Sequence, residues 1–363
     1  MKERVNGMAL AAVLRAPTRL CDATPRGFAA LARLAQREAL LGRLAASARE
    51  AGVLDGLAPV AREVLESAWR AAQASRTQTL WEAARIRRAL LAYDGPLILL
   101  KGAAYFAIAL PGSAGRWCSD VDILVPRARL AEVEAQLIAA GWASAKQHPY
   151  DDAYYRRWMH ELPPLRHLKR RTVVDVHHAI LPLTARLKPS PEALLQAACA
   201  SPLAGLDVLA PADMALHSAA HACHDGDFTG GLRNLFDLTD LIDFFAARDA
   251  AFTGHLADRA RALDLGRPLA YGVRFARAVT GWTPPAGLEA MLARHLPAAP
   301  LLRLMDHLVA RAVGGADPWR PTNNRLARRA LYARAHWLRM PPLMLARHLV
   351  VKAWRGQRQE GAR

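Results

Sequence analysis

Residues 116–126 read RWCSDVDILVP. An apolar run closed by Pro126 is the pattern of a short buried strand, yet Asp120 and Asp122 lie inside it. Side chains alternate along a strand with a period of two. Both carboxylates therefore share one face, and Val121, Ile123 and Val125 share the other. Two like charges held together resist burial unless a cation neutralises them. Mg²⁺ (or Mn²⁺) suits that role, being a hard ion that takes carboxylate oxygens, keeps waters and bridges to phosphate.

Working outward, PLILLKG (96–102) reads as a strand ending in glycine, AAYFAIAL (103–110) as a helix and PGSAG (111–115) as a loop. A glycine turn before a helix lets backbone N–H groups approach a phosphate. Lys101, Gly102, Arg116 and Ser119 are the candidates for holding a nucleotide's phosphates, since a triphosphate needs counter-charge. Downstream, RLAEVEAQLIAAGW (129–142) predicts a helix stopped by Gly141. WMHELPPLRHL (158–168) and RTVVDVHHAIL (171–181) are strand candidates joined by the basic turn KRR, which predicts a hairpin. Asp175 is a lone acid in the second of these. Beside the Asp120–Asp122 strand it would complete a metal site and serve as base towards an acceptor; the competing reading pairs it with an Arg of KRR.

The flanks have a different texture. FAALARLAQREALLGRLAASAREAG (28–52), APVAREVLESAWRAAQ (58–73) and TLWEAARIRRALLAY (79–93) each read as one amphipathic helix. After Pro182, PEALLQAACA, PADMALHSAAHACH and LRNLFDLTDLIDFFAAR return to helix. The expected class is α+β: a helical region over 1–93, a small α/β core over 94–185 and a helical domain over 186–363. With 52% apolar residues in 363, a sizeable core is within reach. A net charge of +17 favours anionic partners such as nucleotides, nucleic acid, acidic peptides or a membrane surface. The basic residues are dispersed, however, which also suits plain solvation and leaves nucleic acid a secondary expectation.

Cys21, Cys118, Cys199 and Cys223 are scattered with no CxxC pair, which argues against a disulfide framework or a Cys-rich zinc site and fits a reducing cytoplasm. The N-terminal apolar run is cut by Arg15, and the most apolar long window carries Lys101 and Pro111, so neither a secretory signal nor a membrane span is expected.

The ordered set of strand, Lys-Gly turn, helix, R-x-x-S-D-x-D strand and a later lone strand Asp resembles the polymerase-β-type nucleotidyltransferase superfamily. Within it, the set is most similar to the bacterial family of uncharacterised nucleotidyltransferases, over about residues 80 to 245. The resemblance implies a minimal nucleotidyltransferase core, with Asp120, Asp122 and Asp175 as metal-binding and catalytic acids and an NTP as co-substrate. It also matches His177 after the third acid, the histidines of HSAAHACH and the segment LRNLFDLTDL, so His177, His217, His221 and Asp237 become candidates for the substrate pocket. One departure is that Ala103 follows Gly102 where active members usually carry Ser or Gly. The acceptor stays open: a small molecule, a peptide or a protein side chain. A catalytically inactive fold that binds nucleic acid or protein is the alternative of a different class.

Three further clusters have competing readings. His217, His221 and His224 share a helix face at H-x-x-x-H spacing near Asp225 and Asp227, a runner-up zinc or iron site, but packing onto the catalytic face is favoured. Asp237, Asp240 and Asp243 read as one solvated or capping face, with Asp237 a brace beside Arg233. His160-Glu161 is a wall of the cleft. In the Arg- and Trp-rich C-terminal stretch, Trp319, Trp337 and Trp354 read as core anchors of amphipathic helices.

Overall fold

Helix starts follow local chemistry. At the head of α1 (Gly7–Arg15) the Asn6 side chain accepts from the Ala9 N–H at 2.9 Å, and at α2 (Pro25–Arg37) Thr24 accepts from Gly27 behind an N-terminal proline. α3 (Leu41–Glu50) follows at once. The single helix expected over 28–52 is thus two: Ala39 turns into the left-handed region (φ 55°), and Glu38 is buried within reach of Arg37 and Arg328. No glycine or proline stands at the break itself, Gly42 falling in the first turn of α3. The opposite correction applies next, where the two helices expected over 58–93 are one, α4 (Pro59–Ala89). Ser75 and Thr79 at the join face inward, Thr79 donating to the Ser75 carbonyl at 2.8 Å while Ser75 holds the backbone of Cys118.

The computed structural model describes residues 5–145, 149–224, 228, 230–319 and 324–341. Its centre is a seven-stranded mixed sheet. β1 (Ile98–Leu99) leads into α5 (Lys101–Ala107) and β2 (Asp120–Leu124). After α6 (Leu130–Ala139) come β3 (Trp142–Ser144), α7 (Pro149–Trp158), β4 (Leu165–His167) and β5 (Val173–His177). α8 (Pro191–Gln196) precedes β6 (Cys199–Ala200) and β7 (Asp207–Val208). The order is β3-β4-β5-β2-β1-β7-β6, with β5–β2 and β1–β7 parallel and the other neighbours antiparallel. The KRR hairpin forms as expected, pairing β4 with β5. PEALLQAACA is helical only to Gln196, its end supplying the edge strand β6.

Among the described residues seven α-helices follow: α9 (Pro211–His224), α10 (Gly231–Ala246), α11 (Phe252–Ala262), α12 (Gly266–Thr280), α13 (Leu288–Leu292), α14 (Ala299–Val309) and α15 (Arg325–Arg339). α9 is buried along nearly its whole circumference, packed by α10, α11 and α12. Its small residues, Ala215, Ser218, Ala219, Ala220 and Ala222, let those neighbours approach closely. The architecture is the α+β class the sequence implies, with one apolar core running from α1 through the sheet to α15. Trp319 and Trp337 are not core anchors: each is half exposed, under the guanidinium of Arg33 and Arg186 respectively. Trp354 lies outside the described residues.

Candidate active site

The parallel pairing of β2 with β5 sets Asp122 directly opposite Asp175. Partners opposite each other in a sheet share a face, so Asp120, Asp122 and Asp175 project to the same side, with His177 one pleat beyond. Asp122 is the most buried of the three, 4% exposed. Its Oδ1 accepts from Lys101 Nζ at 2.7 Å and from His177 Nε2 at 2.9 Å. Burial opposes its charge, but Lys101 and His177 more than offset that cost and hold the carboxyl far below the usual range. Asp120, at the mouth, is raised by burial and by Asp122. Asp175 is pushed up to about 7 by burial, then by Asp122 and Glu161, and its Oδ1 is buried with no partner. The expected alternative, a pair with KRR, is not made: Arg170 is engaged by Glu82 on α4 at 2.7 and 2.9 Å.

Lys101 begins α5 with φ 46°, a left-handed conformation that costs a non-glycine residue about 1 kcal/mol. The strain aims the ammonium into the cleft, where Asp122, Glu161 and Asp120 outweigh its desolvation and raise its pKa. At Gly102 a Cβ would collide with the Cys118 sulfur and lie 3.2 Å from Arg116 Nε. The glycine therefore lets α5 approach the segment entering β2. Arg116 lines the same cleft, but its charge is already engaged: both oxygens of Asp237 on α10 accept from it, and it lies over the Tyr105 ring at 5.2 Å. Asp237 braces the cleft through Arg116. Ser119 sits at the rim and hydrogen-bonds Asp120.

Lys101, Gly102, Arg116, Ser119, Asp120, Asp122, His217, His221 and Asp237 line one cavity of about 200 Å³, together with Tyr105, Trp117, Cys118, Ser218, Arg233 and Asn234. Burial, then Lys101, drives His217 well down, and His221 to about 3, so α9 roofs the carboxylates with neutral imidazoles. His177 and Asp175 are not in the cavity wall. His177 is 1% exposed and acts from behind, on Asp122.

His217, His221 and His224 do not converge as a three-ligand group: His224 Nδ1 donates to the Ala220 carbonyl at 3.0 Å, and Asp225 and Asp227 lie outside the described residues. Sequence reasoning missed Ser75, which ties α4 to Cys118, and the half-exposed Trp117. A polar residue on an otherwise regular helix is the only signal for Ser75, and it is weak.

A mixed sheet carrying an acid-x-acid strand, a parallel neighbour with the third acid in register and a strand–Lys-Gly–helix entry is the arrangement expected of a nucleotidyltransferase. The chain belongs to the family described as "Uncharacterised nucleotidyltransferase", which matches residues 24–281. That span takes in α2 to α4 and reaches the end of α12, beyond the stretch carrying the motifs. No curated protein and no solved structure matches the chain. Membership supports a transferase acting with an NTP, and no helix among the described residues is long and apolar enough to cross a membrane.

Proposed function

We propose that this protein is a divalent-metal-dependent nucleotidyltransferase that moves a nucleoside monophosphate from an NTP to a small-molecule or peptide acceptor. The observation that carries the reading is the register of Asp122 with Asp175 on neighbouring parallel strands, with Asp120 on the same face. The donor set is all carboxylate, the unpartnered Oδ1 of Asp175 is buried against it, and such oxygens fit Mg²⁺ or Mn²⁺. Asp120, Asp122 and Asp175 would hold the metal, which when bound polarises the phosphoryl group and acidifies the acceptor.

The chain's own residues do the rest. Asp122, kept ionised by Lys101 and His177, is a constant anionic anchor. Asp175, with its pKa near the working pH, takes the proton from the acceptor hydroxyl or amine. The acceptor atom bonds to the α-phosphorus, the α–β bridging bond breaks, and pyrophosphate leaves. Lys101 supplies positive charge on the phosphate side, Arg116 lines that side with its charge held by Asp237, and the neutral histidines of α9 close the cleft against water.

The test is incubation with each α-labelled NTP, Mg²⁺ or Mn²⁺ and a metabolite extract, comparing wild type with Asp120→Asn and Asp122→Ala. Metal-dependent label transfer by wild type alone is expected. No transfer by wild type, or equal transfer by all three, would sink the proposed site and favour the binding-module reading.

A further inference from the structure

Behind the aspartates lies a second set of ligand atoms that the transferase reading does not use. The chain entering the hairpin runs back along the end of β5: Glu161 bridges His177, Leu162 N–H donates to the Val176 carbonyl at 2.9 Å, and His178 N–H donates to the His160 carbonyl at 2.8 Å. These bonds fix His160 and Glu161 against His177. One donor atom from each lies within 4.8 Å of the others, and among the described residues no other such group of three occurs. The His160 and His177 rings are 5.2 Å apart.

The imidazole donors of the set are unsatisfied. A carboxylate only accepts, so the 2.9 Å contact with Asp122 assigns the His177 proton to Nε2 and leaves Nδ1 with its lone pair 3.3 Å from Glu161 Oε2, a close contact without hydrogen-bond alignment. His177 is almost wholly buried, and its Nδ1 has no hydrogen-bond partner; neither has His160 Nδ1. Two acceptors do not face each other in a protein interior without something positive between them. A separation of 3.3 Å is about the edge of a tetrahedron around an ion with bonds of roughly 2.0–2.1 Å.

We propose that His160, Glu161 and His177 form a second metal site, taking a borderline transition-metal dication such as Zn²⁺ with its fourth position open to water. Two imidazoles and one carboxylate suit such an ion and are a poor set for Mg²⁺, which prefers oxygen. The charge balance agrees. Asp120, Asp122, Asp175 and Glu161 bring four carboxylates to this face, and Lys101 is the cation placed among them. The bound ion fixes the His177 ring so that its Nε2–H stays on Asp122, the relation in which a ligand imidazole's second nitrogen is held by a carboxylate. It ties the hairpin to the acid-bearing strand without touching a nucleotide, so the site stands whether or not the chain turns over an NTP.

The experiment uses untagged, chelator-stripped, full-length protein titrated with Co²⁺, read by visible absorption and by metal analysis after dialysis. One Co²⁺ per chain with the ligand-field bands of a nitrogen-ligated ion is expected, displaced by Zn²⁺ and retained in excess Mg²⁺. His160→Ala and Glu161→Gln should each weaken uptake at least about tenfold. Asp120→Asn should leave it unchanged, which separates this site from the oxygen site. Melting curves verify folding, and His160→Gln replaces His160→Ala if the latter does not fold. No Co²⁺ bands in wild type, equal uptake by the His160 and Glu161 variants, or loss of uptake in Asp120→Asn would each overturn the proposal.

Discussion

On α10, Asp237, Asp240 and Asp243 recur every third residue; on β2 and β5, Asp120, Asp122 and Asp175 gather on one sheet face. In sequence both sets are acids among apolar residues. In the fold the α10 set is satisfied: Asp237 by Arg116, Asp240 by Arg43 on α3, and Asp243 by the indole N–H of Trp282 at 3.0 Å. In the sheet set only Asp122 is matched by a cation, while Asp175 keeps a buried oxygen without a partner. Spacing places carboxylates on a common face, and their partners separate a strut from a site. An acid already matched by a guanidinium has little left to offer a ligand, whereas acids that raise one another's pKa store repulsion that a divalent cation relieves.

The largest expected effect tests that division directly. Asp120→Asn and Asp122→Asn should each lower metal-dependent nucleotidyl transfer about 10³-fold or more, as loss of a group stabilising transition-state charge does. Asp240→Asn should change the rate per folded molecule little. Single-turnover assays normalised to folded protein check both, and a comparable loss in Asp240→Asn would erase the distinction.

Next comes stability, with the order reversed. Asp240→Ala leaves Arg43 mostly buried and unpaired, which should cost about 3 kcal/mol in urea unfolding. Replacing both partners, as in Arg43→Met with Asp240→Leu, should recover most of that loss, because the cost lies in the orphaned charge. If the double variant is as unstable as the single one, the strut reading of α10 fails.

The sheet acids are legible in the sequence because strand periodicity is local: D-x-D fixes a shared face wherever the strand goes, and the lone Asp175 needs only a parallel neighbour. The α10 acids read as a solvated face because their partners come from distant places, Arg116 at 121 residues' separation and Arg43 at 197. Helix boundaries fail for the same reason. The break at Ala39 lies beside a buried Glu38 in reach of Arg328, and α4 runs on through Ser75, which is tied to Cys118; both contacts are with distant residues. His177 is legible as a neighbour of the site but not as its support, since its burial and its hydrogen bond to Asp122 are tertiary facts. The His160–Glu161 pair carries no periodic signal.

A smaller effect sharpens the comparison from the side of the site. Asp175 has a folded pKa raised above its ordinary value, to about 7, so the folded state binds its proton more tightly than the unfolded chain does. Stability from this group is therefore whole below about pH 4 and declines as pH rises towards 7. Asp175→Asn removes the titration. The metal-free variant should match wild type near pH 4 and exceed it at pH 8 by up to about 4 kcal/mol, about 1.4 for each unit of the rise, while losing transfer activity. Parallel urea curves at the two pH values measure this. A variant less stable than wild type at pH 8 would mean that Asp175 is already compensated, like the acids of α10.

The smallest effect lies at the far end of the helical stripe. Asp243 is exposed, yet it accepts from Trp282 Nε1 through both oxygens, and Trp282 is itself 3% exposed. Asp243→Ala leaves that indole N–H to find water at the edge of the core, for about 1 kcal/mol. Trp282→Phe keeps most of the apolar contact and removes the donor, so in the Trp282→Phe background the Asp243 substitution should cost almost nothing. A double-mutant cycle on urea unfolding gives the coupling directly. Coupling near zero would make Asp243 the solvated residue its spacing suggests, and would shorten the strut of α10 to the two acids that hold arginines.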